Sequence, residues 1–348
     1  MEPVTHMLTG AVLARAGFNR KAAYATAAMA IAAEFPDIDI LWGLGGPVTG
    51  MEHHRGITHT FVALPFEALL ITGCFWAIHR LRKKAPEAAP NWVWLFFGCW
   101  LALGSHLLLD WTNNYGIRPF FPFNPHWYAG SFVFIFEPVL FAMLLGALLL
   151  PALFGLINAE VGAHKERFRG RGWAIAALVG VWALYLFRYV EHGKAIAVAQ
   201  QNQPAGATRI FASPHPLNPF VWSTVSDTPE FYQLGTVDTR AGTMLPPMPA
   251  DTLHKPPVSL PILAAKRTFL GRIYLDWSMY PVITEVPRED EPGHPLREIT
   301  FADARFMYDT MLGEGRTNPP LTGVVTLDMA APEGRRVVET KMGDRVQH

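Results

Sequence analysis

Residues 7–39 read MLTGAVLARAGFNRKAAYATAAMAIAAEFPDID, and the way this stretch divides decides how the chain is arranged. Residues 7–16 and 22–33 are both apolar and both short, and Gly17-Phe18-Asn19-Arg20-Lys21 between them is turn sequence. A single tilted helix would put His6 across a bilayer from Asp37 and Asp39. A hairpin of two short helices returns the chain to the side it left, and the turn residues favour the hairpin.

Downstream, residues 61–78, 92–109, 132–157 and 173–190 are apolar and long enough to read as spanning helices. At 1.5 Å of rise per residue, a helix needs about 20 residues to cross a hydrocarbon core of about 30 Å. After residue 190 no apolar run is that long, and Pro, Asp, Glu, Arg and Thr become frequent. The expected fold is an α-helical membrane domain over residues 1–190, with four spanning helices plus the N-terminal hairpin, followed by a soluble domain over 191–348. In that second part, β-prone runs at 208–212, 220–225, 231–237, 280–286, 297–301, 321–327 and 336–341 accompany one helix between 259 and 275. This pattern predicts an α+β or mostly β domain.

Half of the 348 residues are hydrophobic and 17 % are charged, with 29 basic residues balancing 29 acidic ones. Zero net charge gives no support to a nucleic-acid partner, and membrane lipids are the expected surroundings. Cys74 and Cys99 both fall in apolar runs, where each reads as a small buried hydrophobe. No basic region precedes the first apolar stretch, so no removable signal peptide is expected. The positive charges are unevenly placed: Arg20 and Lys21, then Arg80, Arg82, Lys83 and Lys84, then Lys165, Arg167, Arg169 and Arg171, fall in turns at one end of the expected helices. Loops dense in Lys and Arg stay cytoplasmic, which places the opposite end and the domain after residue 190 outside the cytoplasm. Arg188, near that outer end, is expected to snorkel.

The opposite end collects histidine and carboxylate: Thr5-His6, Pro36-Asp37-Ile38-Asp39, His53-His54-Arg55-Gly56-Ile57-Thr58-His59, and His106 with Asp110. Imidazole nitrogen and carboxylate oxygen are the ligands of hydrolytic zinc and related divalent ions. His106 and Asp110 are four residues apart on a helix and project from one face. Two carboxylates facing a shared site, as Asp37 and Asp39 would, repel unless a cation neutralises them. Three imidazoles and a guanidinium in the segment from His53 to His59 are costly at a membrane boundary unless they bind something, and Arg55 is suited to clamping an anion. Thr5 reads as a cap for the first helix. Glu67 and Glu137, inside apolar stretches, are candidates to support a ligating histidine.

This ordered set, with His54-Arg55-Gly56-Ile57-Thr58-His59 and Pro36-Asp37-Ile38-Asp39 as its sharpest parts, resembles the membrane-bound metal-dependent hydrolases of the YdjM type. These are also described as LexA-regulated inner-membrane hydrolases, and the resemblance covers roughly residues 1–190. It implies a multi-span protein of the bacterial inner membrane engaged in metal-dependent hydrolysis. The ligand order is also weakly similar to that of zinc-dependent phospholipases C. Their N-terminal Trp ligand and last histidines have no clear counterpart here unless His126 serves, which favours one or two ions over three.

The expected function is that of a membrane-integrated hydrolase using a divalent ion, zinc or else manganese, on a phosphoester or lipid-linked substrate. The expected metal ligands are His6, Asp37, Asp39, His59, His106 and Asp110. Asp39 is the expected general base, and His54 and Arg55 are placed beside the substrate. The alternative is a non-enzymatic membrane regulator or partner-binding protein in which the same ligands close around a structural ion.

Overall fold

The computed structural model describes residues 1–82, 89–160, 170–289, 295–310, 313–314 and 319–347. These form two compact units, Met1–Asp39 with Arg55–Val190, and Ile40–His54 with Glu191–His348. Lys83, Lys84, Lys165, Arg167 and Arg169 of the basic turns lie outside the described residues.

The first unit is helical. Helix α1 (Pro3–Leu13) starts with Pro at its first position, and the Glu2 carboxylate accepts from the Thr5 N–H at 3.0 Å. The capping group is therefore Glu2, and Thr5 is the residue it caps. After a π-helical turn at Ala14–Phe18 the chain leaves helical geometry at Ala22 and takes a left-handed conformation at Tyr24, φ 66°. It then re-enters helix as α2 (Ala25–Glu34), which packs back against α1. Gly10 makes this closeness feasible, because any Cβ there would collide with the Met29 carbonyl. The reversal between residues 14 and 24 is the hairpin expected from the turn sequence.

Three further helices pass the length and hydropathy that a span requires: α5 (Trp92–Thr112), α6 (Pro138–Glu160, over Pro138–Gly155) and α7 (Arg171–Gln201). Helix α4 (Leu64–Leu81) has 18 residues and carries Glu67, His79 and Arg80, and it qualifies only when combined with the helical segment before it. Among the described residues, four independent spans are thus not found; three are, together with a helix at the margin. Helices α2, α4 and α5 share a core of small and aliphatic side chains, including Ala28, Met29, Ala32, Ala68, Cys99, Ala102 and Leu103. The basic residues gather away from His6, His59 and His106. Lys21 Nζ stands 3.7 Å from the Trp94 ring centre, Arg82 faces Tyr24, and Arg171 Nε donates to the Ala16 carbonyl at 3.0 Å.

Two of the charges in the apolar segments find each other. Arg188 on α7 is buried and donates to Glu137 Oε2 at 2.8 Å, so it does not snorkel, and Glu137 is not a partner of a histidine. Glu67 is buried within α4.

The second unit is rich in antiparallel sheet. One sheet runs β1 (Arg209–Pro214), β2 (Val221–Asp227), β3 (Phe231–Asp238) and β4 (Thr243–Met244), with β5 (Thr252–His254) paired to β3. The other has the order Arg345–Gln347, Val337–Met342, Gly323–Asp328, Pro295–Asp303, Pro281–Glu289. Each of the seven expected runs has its strand, because alternation with turn residues between is a strong local signal. The expected single helix is two, Leu260–Arg267 and Phe269–Trp277. Thr268 takes extended geometry between them and caps the second through Gly271 N–H at 3.1 Å. Helix α3 (Pro47–His53) belongs to this unit and is tied to its last strand by the Val48 N–H donating to Gln347 Oε1 at 2.8 Å.

Candidate metal centre

Four of the candidate side chains converge at one end of the helical unit. Asp37 comes from the 3₁₀ segment Phe35–Gly45 that Pro36 starts as α2 ends, and His59 from a short 3₁₀ turn, Ile57–His59, ahead of α4. His106 and Asp110 come from successive turns of α5. One ligand atom from each lies within 4.8 Å of the others. His59 Nε2 is 3.0 Å from His106 Nε2, 3.3 Å from Asp37 Oδ1 and 3.6 Å from Asp110 Oδ2. His106 Nε2 is 3.6 Å from both Asp37 Oδ1 and Asp110 Oδ2.

These separations suit a divalent ion. Donors about 2.0–2.1 Å from a tetrahedral ion stand about 3.3–3.4 Å from one another. Asp110 Oδ2 is buried without a hydrogen bond, which an ion would relieve. The cluster of Asp and His can therefore hold a metal ion.

The outward nitrogens are also partnered. His106 Nδ1 lies 2.7 Å from the Ala33 carbonyl, an acceptor that requires Nδ1 to carry the proton and leaves the Nε2 lone pair facing the cluster. His59 Nδ1 has Asp39 Oδ2 at 3.3 Å and Thr58 Oγ1 at 3.1 Å. Asp39 Oδ2 also accepts from the Arg55 N–H at 2.7 Å, so Asp39 lies behind His59. His6 stacks on His106 with ring centres 3.9 Å apart and reaches Asp110 Oδ1 at 3.4 Å. Arg55 is buried, and its Nη2 pairs with Asp110 Oδ1 at 2.9 Å. His54 falls in the second unit, and His126 is exposed in a loop where it packs on Tyr128.

Exposure differs sharply across the four. The side chains of His59, His106 and Asp110 are at most 1 % accessible, whereas Asp37 is 23 % accessible. Burial alone would raise the Asp37 pKa, but the His59 hydrogen bond holds it below the usual carboxylate range. Asp37 is thus an ionised carboxylate on the open side of the cluster.

Neither the Ala33 carbonyl, which has no side-chain signature, nor the choice of Asp110 as the partner of Arg55 is legible in the sequence. Asn113 lies three residues after Asp110, and its Oδ1 accepts from Arg55 Nη1 at 3.3 Å.

The sequence model of the YdjM inner membrane protein family matches residues 1–195, more than half of the chain and all of the metal cluster. The chain belongs to this family. Membership of the YdjM family and the apolar helices together support a membrane location. Among curated proteins, the uncharacterized protein YfhP of Bacillus subtilis strain 168 is 30 % identical over 113 residues, which is 32 % of this chain and 32 % of that protein. The match therefore spans about a third of the relative's length. No solved structure matches the chain.

Proposed function

We propose that this YdjM family member is a membrane-integrated metal-dependent hydrolase acting on a phosphoester, with zinc or manganese held by His59, His106 and Asp110 beneath the accessible Asp37 carboxylate. The observation that carries the reading is the asymmetry of the cluster: three buried ligands form its base, and Asp37 faces outward. A structural ion needs no such open side; a catalytic one does. When bound, a divalent ion supplies Lewis acidity to a phosphoryl oxygen and acidifies water.

The chain's own residues do the rest. Asp39 and the Ala33 carbonyl fix the ring orientations of His59 and His106, so Asp39 acts as a positioning residue and not as the base. Asp37, ionised and accessible, is the carboxylate placed to take a proton from attacking water. Ile38, Ile57 and Phe61 neighbour Asp37 and His59 in the chain, and all three are exposed apolar side chains. That composition favours a phosphoester carried on a lipid over one free in solution.

Activity is tested by supplying the metal-loaded protein with phosphodiester and phospholipid analogues in detergent or vesicles. Asp37→Asn is expected to lower kcat by about 10²–10⁴-fold, the range for loss of a general base. Full metal occupancy with no turnover on any phosphoester would instead favour a regulator with a structural ion.

The basic end, with Arg20, Lys21, Arg80, Arg82 and Arg171, is proposed to face the cytoplasm and the metal end to face outward. In a background lacking Cys74 and Cys99, a cysteine replacing Gln203 should react with an impermeant maleimide in spheroplasts, and one replacing Arg82 should not. Labelling of the second and protection of the first would reverse the orientation.

A further inference from the structure

Asp110 points its two oxygens in different directions. Oδ2 faces the two Nε2 atoms, while Oδ1 faces His6 Nε2 at 3.4 Å, Arg55 Nη2 at 2.9 Å and the Met1 amino group. In two-ion centres the metals sit about 3.5–4 Å apart, and a carboxylate oriented like Asp110 can join them with one oxygen each. His6 and Oδ1 would then be the start of a second half-site. Arg55 stands in that place.

Its guanidinium is fixed there. Nη1 donates to the Gly116 carbonyl at 2.8 Å, to Asn113 Oδ1 at 3.3 Å and to the Asp110 carbonyl at 3.4 Å, and the charged group lies 4.7 Å from the Tyr115 ring centre. The backbone is fixed as well, since Arg55 holds φ 52° while its N–H donates to Asp39. A non-glycine residue in that left-handed region persists only when its surroundings over-determine it. Arginine is always protonated and cannot ligate a metal, so its charge repels a cation from Oδ1.

We propose that Arg55 takes the place of a second cation, which makes this a one-ion centre with Arg55 as a positioning residue that fixes Asp110. His6 then packs on His106 and ligates nothing, and the guanidinium is spent within the protein and does not clamp substrate. The inference rests on the metal-site reading above and adds a stoichiometry to it.

The test titrates intact, chelator-stripped protein with Mn²⁺, reading bound equivalents after desalting and the Mn²⁺ electron paramagnetic resonance spectrum. One equivalent at saturation with an uncoupled spectrum is expected. Two equivalents, or a spin-coupled pair, would overturn the inference and leave the metal site standing; no bound ion would remove both. Arg55→Lys keeps the charge and loses the fork. It is expected to weaken Mn²⁺ binding by about 10–100-fold, as loss of a partner that orients a ligand does. Unchanged affinity in Arg55→Lys would overturn the positioning role. His6→Ala is expected to keep the single equivalent within a few-fold of the original affinity, and loss of binding there would make His6 a ligand.

Discussion

Protein carrying His106→Ala or Asp110→Ala should lose divalent metal after desalting while the wild type keeps it. Removing a group that merely orients a ligand costs about 10–100-fold in affinity, and removing a ligand should cost at least that much. Asp110 is the more severe case. Its Oδ2 faces both Nε2 atoms and its Oδ1 neutralises the buried Arg55, so Asp110→Ala also leaves a guanidinium without its carboxylate. His106→Ala removes one imidazole and its bond to the Ala33 carbonyl, and leaves the Arg55 contacts in place. The pair therefore separates metal loss from misfolding: His106→Ala should unfold close to the wild-type apo protein, and Asp110→Ala well below it. Equal metal retention in wild type and His106→Ala would remove His106 from the centre.

The second large effect lies away from the metal. Glu137→Ala leaves Arg188 buried without its 2.8 Å partner, and breaking a buried pair by removing one member costs about 3–5 kcal/mol. The double variant Glu137→Leu with Arg188→Met removes both charges, and it should recover most of that loss because apolar replacements of a buried pair are often neutral. Thermal unfolding in detergent would show a large drop for the single change and near-wild-type behaviour for the double one. A single variant within about 1 kcal/mol of wild type would mean that the pair is solvated like a surface one.

These two sites show where sequence reasoning reaches and where it stops. Periodicity and turn residues were enough for the α1–α2 hairpin and the seven strands, because both signals are local. That Asp37, His59, His106 and Asp110 would come together was legible for a related reason: His and Asp at helix ends are rare enough among apolar residues to stand out. What was not legible is how groups distant in the chain share their partners. Arg188 looked like a snorkelling cation, and only the packing of α7 against the start of α6 supplies Glu137. Arg55 carried the chemistry of an anion clamp, but its anion is the protein's own Asp110. Asp39, equal to Asp37 in sequence, differs in position. One residue of separation sends Asp39 behind His59 and leaves Asp37 at the open side. The fourth expected span is not confirmed at α4, where Glu67, His79 and Arg80 reduce the hydropathy of a helix of marginal length.

The central claim is that the Asp37, His59, His106 and Asp110 cluster binds a divalent ion. The most direct measurement is elemental analysis of the intact protein, purified in detergent without chelator and again after zinc loading and desalting. The account expects about one bound equivalent, lost on dialysis against chelator or at a pH low enough to protonate the histidines. Zinc-loaded, folded protein that retains less than about a tenth of an equivalent would contradict it, since a buried set of this geometry should hold its ion through desalting.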